Sequence, residues 1–107
     1  MLGHDLVPIG LRTIIFPVEA TNEAILKMLV SRCKYLRVLD LSYSKYKSLP
    51  RSIGKLKHLR YLDLSGNQIL ERLPDSMCKL QNLQTLDLRG CMKLQEFPNG
   101  IRKLMSL

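Results

Sequence analysis

The chain is poor in the residues that site chemistry usually needs. It has two histidines, His4 and His58, far apart and with no partner at metal-ligand spacing, so no metal site is expected. Its three cysteines, Cys33, Cys78 and Cys91, are odd in number and widely spaced, which excludes the disulfide framework of a small secreted domain and leaves them as reduced, structural residues. No window is long and apolar enough for a membrane-spanning helix. The opening MLGHDLVPIG is interrupted by His4, Asp5 and Pro8, unlike the apolar run of a secretory signal. None of Asn22, Asn67, Asn82 and Asn99 starts a glycosylation acceptor. These absences together predict a cytoplasmic location.

Catalytic patterns are missing as well. A phosphate-binding loop fails at its single candidate, because Gly54-Lys55 is followed by Leu56 and Leu49 stands where the first glycine belongs. Nothing resembles a nucleophile elbow or a zinc-protease helix. The expectation is a non-enzyme with no catalytic residue, no cofactor and no small-molecule substrate. Acid is scarce in one region: from Arg32 to Arg60 there are nine basic residues against the single Asp40, while the rest of the chain holds eight of each sign. The net charge of +8 therefore belongs to one stretch.

What the chain does have is a phrase that recurs. LRVLDLSYSKYKSLP begins at Leu36, LRYLDLSGNQILERLP at Leu59 and LQTLDLRGCMKLQEFP at Leu83, with a blurred copy, LRTIIFPVEA, at Leu11. Leu107 would open a fifth unit, so the spacings are 25, 23, 24 and 24. This period and the pattern Leu-x-x-Leu-x-Leu-x-x-Asn/Cys match leucine-rich repeats. At 107 residues and 46% hydrophobic, the chain reads as one globular unit: a lead-in over 1–10 and a repeat domain over 11–107, truncated at its fifth unit. The expected class is α/β, a right-handed horseshoe solenoid of about four repeats. A parallel sheet would line its concave face, with short helical or irregular segments on the convex side.

Side chains two apart on a strand share a face. Leu39 and Leu41, Leu62 and Leu64, and Leu86 and Leu88 are therefore inward-facing. Val38, Asp40 and Ser42, then Tyr61, Asp63 and Ser65, then Thr85, Asp87 and Arg89 face outward and form the candidate protein-binding surface. One strand cannot bury its leucines alone, whereas stacked units share a continuous core.

The second half of each unit, LPRSIGKLKH, LPDSMCKLQN and FPNGIRKLMS, sets an apolar residue three positions after proline (Ile53, Met77, Ile101) and a leucine three further on (Leu56, Leu80, Leu104). Proline closes the extended segment, so a turn and a short helical piece are predicted. The first unit differs, since Ile25, Leu26, Leu29, Val30 and Cys33 recur at helical spacing behind a Thr21 or Asn22 cap. Position nine of the motif is Ser44, Asn67 or Cys91. A buried side chain there must bond the backbone of its turn; asparagine does so best, which predicts looser second and fourth turns.

Of the charged residues, the lysines suit a solvated convex face. A basic stripe with aromatic platforms would instead suit nucleic acid or another polyanion, but Tyr35 and Tyr46 read as packing residues and no RNA-binding signature appears. The arginines are periodic: Arg12, Arg37 and Arg60 each hold the second position of a unit, with Gln84 ending the column. Neighbouring strands lie about 4.8 Å apart, close to the pitch of an α-helix, about 5.4 Å. An acidic helix lying across the strands could offer one carboxylate per turn to each arginine fork.

The run LRVLDLS, LPRSIGKLKHLRYLDLSGN, LPDSMCKLQNLQTLDLRGC resembles the leucine-rich-repeat region of plant intracellular nucleotide-binding disease resistance proteins of the coiled-coil class. The resemblance covers residues 11 to 107. The slot that reads Gly-x-Ile-Pro in extracellular plant receptors reads SLP, RLP and EFP here. The resemblance implies sensing of a pathogen effector or a guarded host protein, autoinhibitory packing on the nucleotide-binding domain, and contact of Arg37, Arg60 and Arg12 with an acidic coiled coil. The alternatives are a general intracellular scaffold of the Ras-associated repeat type, which shares LP-x-x-I-x-x-L, and a basic adaptor for a polyanion.

Overall fold

Three-residue strands recur where the leucine alternation places them: β1 (Thr13–Ile15), β2 (Val38–Asp40), β3 (Tyr61–Asp63) and β4 (Thr85–Asp87). The computed structural model describes residues 10, 12–15, 23–98 and 100–101. The strands form one parallel sheet in the order β1-β2-β3-β4. Register follows motif position, so Ile14, Leu39, Leu62 and Leu86 are partners, as are Ile15, Asp40, Asp63 and Asp87. The inward leucines Leu39, Leu41, Leu62 and Leu64 are fully buried. Leu86 and Leu88 are only half-buried, because β4 is an outer strand among the described residues.

The prolines start the convex segments as the sequence implies. Pro50 and Pro74 are extended, both at φ −68 and ψ 147, and precede 3-10 helices at Arg51–Lys55 and Asp75–Lys79. Ile53, Leu56, Met77 and Leu80 drop from these turns into the core with no exposure, and Ile101 is buried at the third; Leu104 lies outside the described residues. The two turns stack closely. A Cβ on Gly54 would run into the backbone carbonyl of Ser76, so glycine sets their separation. The Ser76 hydroxyl donates to Arg51 O at 2.6 Å, and Asn82 Nδ2 donates to Lys57 O at 2.8 Å, stitching one unit to the next.

In the first unit a regular helix, α1 (Glu23–Arg32), replaces the 3-10 turn and buries Leu26, Leu29 and Val30, with Cys33 just beyond. The Thr21 or Asn22 cap falls outside the described residues. Ser52 is the counterpart of Ser76 one unit earlier. It packs beside α1, not a 3-10 turn, and its buried hydroxyl has no hydrogen-bond partner.

Position nine supplies the polar contacts of the core. Asn67 accepts from Tyr46 N–H at 3.1 Å and donates to Leu41 O at 2.9 Å and Leu64 O at 2.8 Å. It thus ties two units together with no exposure of its own. Ser44 donates to Ser42 O at 3.3 Å, within its own turn, and the Cys91 thiol reaches Leu64 O at 3.1 Å. None of the three cysteines is in a disulfide. Burial pushes the thiols of Cys33 and Cys91 up, away from the reactive thiolate form.

Candidate protein-interaction surface

The outward strand residues form three parallel columns along the sheet. Thr13, Val38, Tyr61 and Thr85 make one and Ile15, Asp40, Asp63 and Asp87 the next, with Ser42, Ser65 and Arg89 following two residues further on. The aspartates have a local task. Asp40 accepts from Ser42 N–H at 2.9 Å, Asp63 from Ser65 N–H at 2.8 Å and Asp87 from Arg89 N–H at 3.1 Å, each closing the turn that leaves its strand. Asp63 also accepts from the Ser65 hydroxyl.

Electrostatics varies along the face. The Arg89 guanidinium grips both oxygens of Asp87 and holds that carboxyl below its ordinary range. Tyr61 stands among the aspartates, and its phenol is pushed up, first by Asp63, then by slight burial and by Asp87 and Asp40. The centre of the face is therefore acidic with a neutral tyrosine in it. Among the described residues no group of three or more histidine, cysteine, aspartate or glutamate side chains could hold a metal.

The arginine column runs one residue ahead of the column of Thr13, Val38, Tyr61 and Thr85, which separates it from the aspartates. Arg37 N–H donates to Arg12 O at 2.7 Å, Arg60 N–H to Arg37 O at 2.8 Å and Gln84 N–H to Arg60 O at 2.7 Å, so the sheet ladder carries the three arginines in register. All three side chains are exposed and, among the described residues, none joins an ion pair. Part of the remaining excess charge sits on the convex side. Lys34, Lys55, Lys57 and His58 line one hollow of about 430 Å³, and Arg51, Lys55, Lys57 and Lys79, with Asp75, line another of about 720 Å³.

Two tyrosines part ways. Tyr46 is buried as a packing residue should be. Tyr35 is not: it is 53% exposed, its ring 5.6 Å from that of His58, because it lies in the turn after α1 and not on the buried face. Tyr43, Ile69 and Met92 were absent from the sequence-derived surface, yet all are exposed at the turns leaving the sheet. For Tyr43 and Ile69 the readable signal was the 23-residue spacing of the second unit, whose turn is one residue short; Met92 had no such signal.

A family model described as a leucine-rich repeat region matches residues 11–107. "Putative disease resistance protein RGA1" of Solanum bulbocastanum is 52% identical over 50 residues, covering 47% of this chain and 5% of that protein. A second protein so named, from Arabidopsis thaliana, is 44% identical over 50 residues, 47% of this chain and 4% of its own length. "Receptor-like protein 1" of Arabidopsis thaliana is 52% identical over 40 residues, 37% of this chain and 4% of that protein. The aligned segments thus span about a twentieth of the curated relatives. Among solved structures, a leucine-rich repeat protein of Leptospira interrogans superposes with a TM-score of 0.61 at 29% identity, over 92% of this chain and 21% of that one. The chain belongs to the leucine-rich repeat region family, as a repeat region of the kind found in plant disease resistance proteins.

Proposed function

We propose that this protein-interaction module acts as the sensing and self-docking surface of a plant innate-immune receptor of the intracellular, nucleotide-binding, coiled-coil class. The concave residues from Val38 to Arg89 meet a pathogen effector or a guarded host protein. The arginine column holds an acidic helix of the receptor's own coiled-coil domain, and packing on the nucleotide-binding domain keeps the receptor inactive until the partner arrives. The SLP, RLP and EFP phrases favour the intracellular class, and with it a cytoplasmic location. No described helix is long and apolar enough to cross a membrane.

The observation that carries this reading is the column itself. Arg12, Arg37 and Arg60 stand at the heads of successive strands, exposed and, among the described residues, outside any ion pair, at a spacing of about 4.8 Å that suits carboxylates one helical turn apart. The test is binding to an acidic coiled-coil domain from a related receptor, by calorimetry in low salt. Arg37→Glu with Arg60→Glu is expected to weaken binding by at least tenfold, since charge-assisted forks turn into repulsions, while circular dichroism and melting stay unchanged. Equal binding by the folded double variant would return these arginines to the role of solvated surface.

A further inference from the structure

We propose that the hollow between the second and third turns is an anchor site for a partner protein, taking an aromatic or long aliphatic side chain that has a carboxylate beside it. The proposal rests on the protein-interaction reading above and names a second, separate place where it happens.

The first observation is conformational. At the eighth motif position the chain turns left-handed, with Gly66 at φ 74 and Gly90 at φ 78. The second unit makes the same turn with Tyr43, at φ 54, in a region that bulky side chains avoid. The backbone bond is the same in kind: Tyr43 N–H donates to Ser65 O and Gly66 N–H to Arg89 O, both at 2.8 Å. Glycine therefore meets the structural need in the sister units, and the tyrosine side chain is not needed for the turn. It is 59% exposed. A left-handed backbone at a site that glycine would satisfy points to a use for the ring outside the core.

The second observation is how the hollow arises. Between position nine and the following Leu-Pro, the third unit has Gln68, Ile69, Leu70, Glu71 and Arg72, while the second has only Lys45, Tyr46, Lys47 and Ser48. Tyr46 takes the buried place of Leu70, leaving Lys45 to span the stretch that Gln68 and Ile69 span next door, and Lys45 does so left-handed, at φ 59. The missing residue is the lateral neighbour Ile69 would have had. Ile69 is left 42% exposed, and a hollow of about 310 Å³ opens between Tyr43, Lys45, Gly66, Gln68 and Ile69.

The chemistry of the walls selects the occupant. The Tyr43 ring and Ile69 are apolar, and the ring lies so close over Gly66 that a Cβ there would clash with it. The volume is at the bottom of the range of small-molecule sites, about 300–1,000 Å³, enough for one anchoring side chain. Tyrosine is among the residues enriched where interface binding energy concentrates, and Ile69 extends the apolar wall beside it. Lys45 is the only charged residue in the lining and, among the described residues, has no ion pair, so its ammonium is open to a carboxylate brought by the partner.

The test is an NMR amide-shift titration of the intact chain with three peptides: Ac-Gly-Glu-Phe-Asp-Gly-NH2, its Phe-to-Ser analogue, and the analogue with both acids replaced by lysine. The first should shift Tyr43, Lys45, Gly66, Gln68 and Ile69 saturably, and the other two should bind at least tenfold more weakly. Tyr43→Asn, which suits a left-handed backbone, should lose that binding tenfold while its melting temperature holds or rises; Ile69→Ser should lose it equally. Shifts scattered over the surface, equal response to all three peptides, or self-association through this face would overturn the proposal. So would a Tyr43→Asn variant that melts several degrees lower and binds as before. Arg37→Glu with Arg60→Glu should leave peptide binding intact, so failure here and failure of the arginine docking are read independently.

Discussion

At the scale of single residues, the same motif position does unequal work in successive units. Asn67 makes three buried hydrogen bonds, two of which join it to the preceding unit, whereas Ser44 makes one, long and confined to its own turn. A buried polar group left without its partner costs about 1–3 kcal/mol. Asn67→Ala removes the acceptor of Tyr46 N–H and the side-chain donor to Leu41 O, while Leu64 O keeps the residue 67 N–H and the Cys91 thiol, so it should destabilise by about 3 kcal/mol in urea denaturation. Ser44→Ala should cost about 1 kcal/mol or less. Hydrogen exchange offers a check without mutation, since the turn held by Asn67 should be better protected than those of Ser44 and Cys91. Equal protection in all three would mean that position nine does not set turn stability. The aspartate column makes a related point. Its recurrence suggested a surface, yet each carboxylate also closes its own turn. Replacing one would therefore change fold and surface together.

At the scale of elements, the stacked 3-10 turns are the most constrained feature of the convex side. Gly54 sits where any Cβ meets the Ser76 carbonyl, a backbone atom that cannot rotate aside. Gly54→Ala should therefore force the two units apart and cost about 2 kcal/mol, in the range of overpacked cores, as measured by chemical denaturation. No loss of stability would show that the stack can slide. Much of this level was legible in the sequence. Period-two leucines fixed the strands and their inward faces, proline marked the start of each convex turn, and helical spacing from Ile25 to Cys33 marked α1. Other features were not, because they depend on neighbours. Nothing local distinguishes Ser52 from Ser76, although one lies beside a helix with an unpartnered hydroxyl and the other bonds the preceding turn. Tyr35 read as packing because it follows an apolar helix face, and only the turn beyond α1 carries it outward. The shortened second turn was visible as a number in the spacing, but its consequence lay on the adjacent unit, where Ile69 lost its cover.

At the scale of the whole molecule, charge is distributed against stability. The ion pairs among the described residues are Lys47 with Glu71, Arg72 with Glu96 and Arg89 with Asp87, all outside the convex cluster of Lys34, Arg51, Lys55, Lys57 and Lys79. Within that cluster Asp75 is the only acid lining the hollows. The Lys47 pair with Glu71 and the Arg72 pair with Glu96 are exposed on both sides and worth about 0–1 kcal/mol each. The stronger Arg89 pair with Asp87 acts within its own turn, so attraction between units is small, while the clustered cations repel one another wherever salt is too dilute to screen them. The screening length falls from about 30 Å at 0.01 M to about 10 Å at 0.1 M, so repulsion between neighbouring turns should fade over that range. Raising sodium chloride from 0.01 to 0.3 M should therefore increase the melting temperature, by about 3 °C if the relief is near 0.5 kcal/mol. Lys55→Glu with Lys57→Glu removes the charges shared by both hollows and should flatten that response while raising the melting temperature in low salt. A melting temperature that falls with salt would mean that the three ion pairs outweigh the cluster, and the lysines would then be no more than a solvated face. A rise that the double variant abolishes would identify the convex cluster as a stored repulsion that any bound anion would relieve.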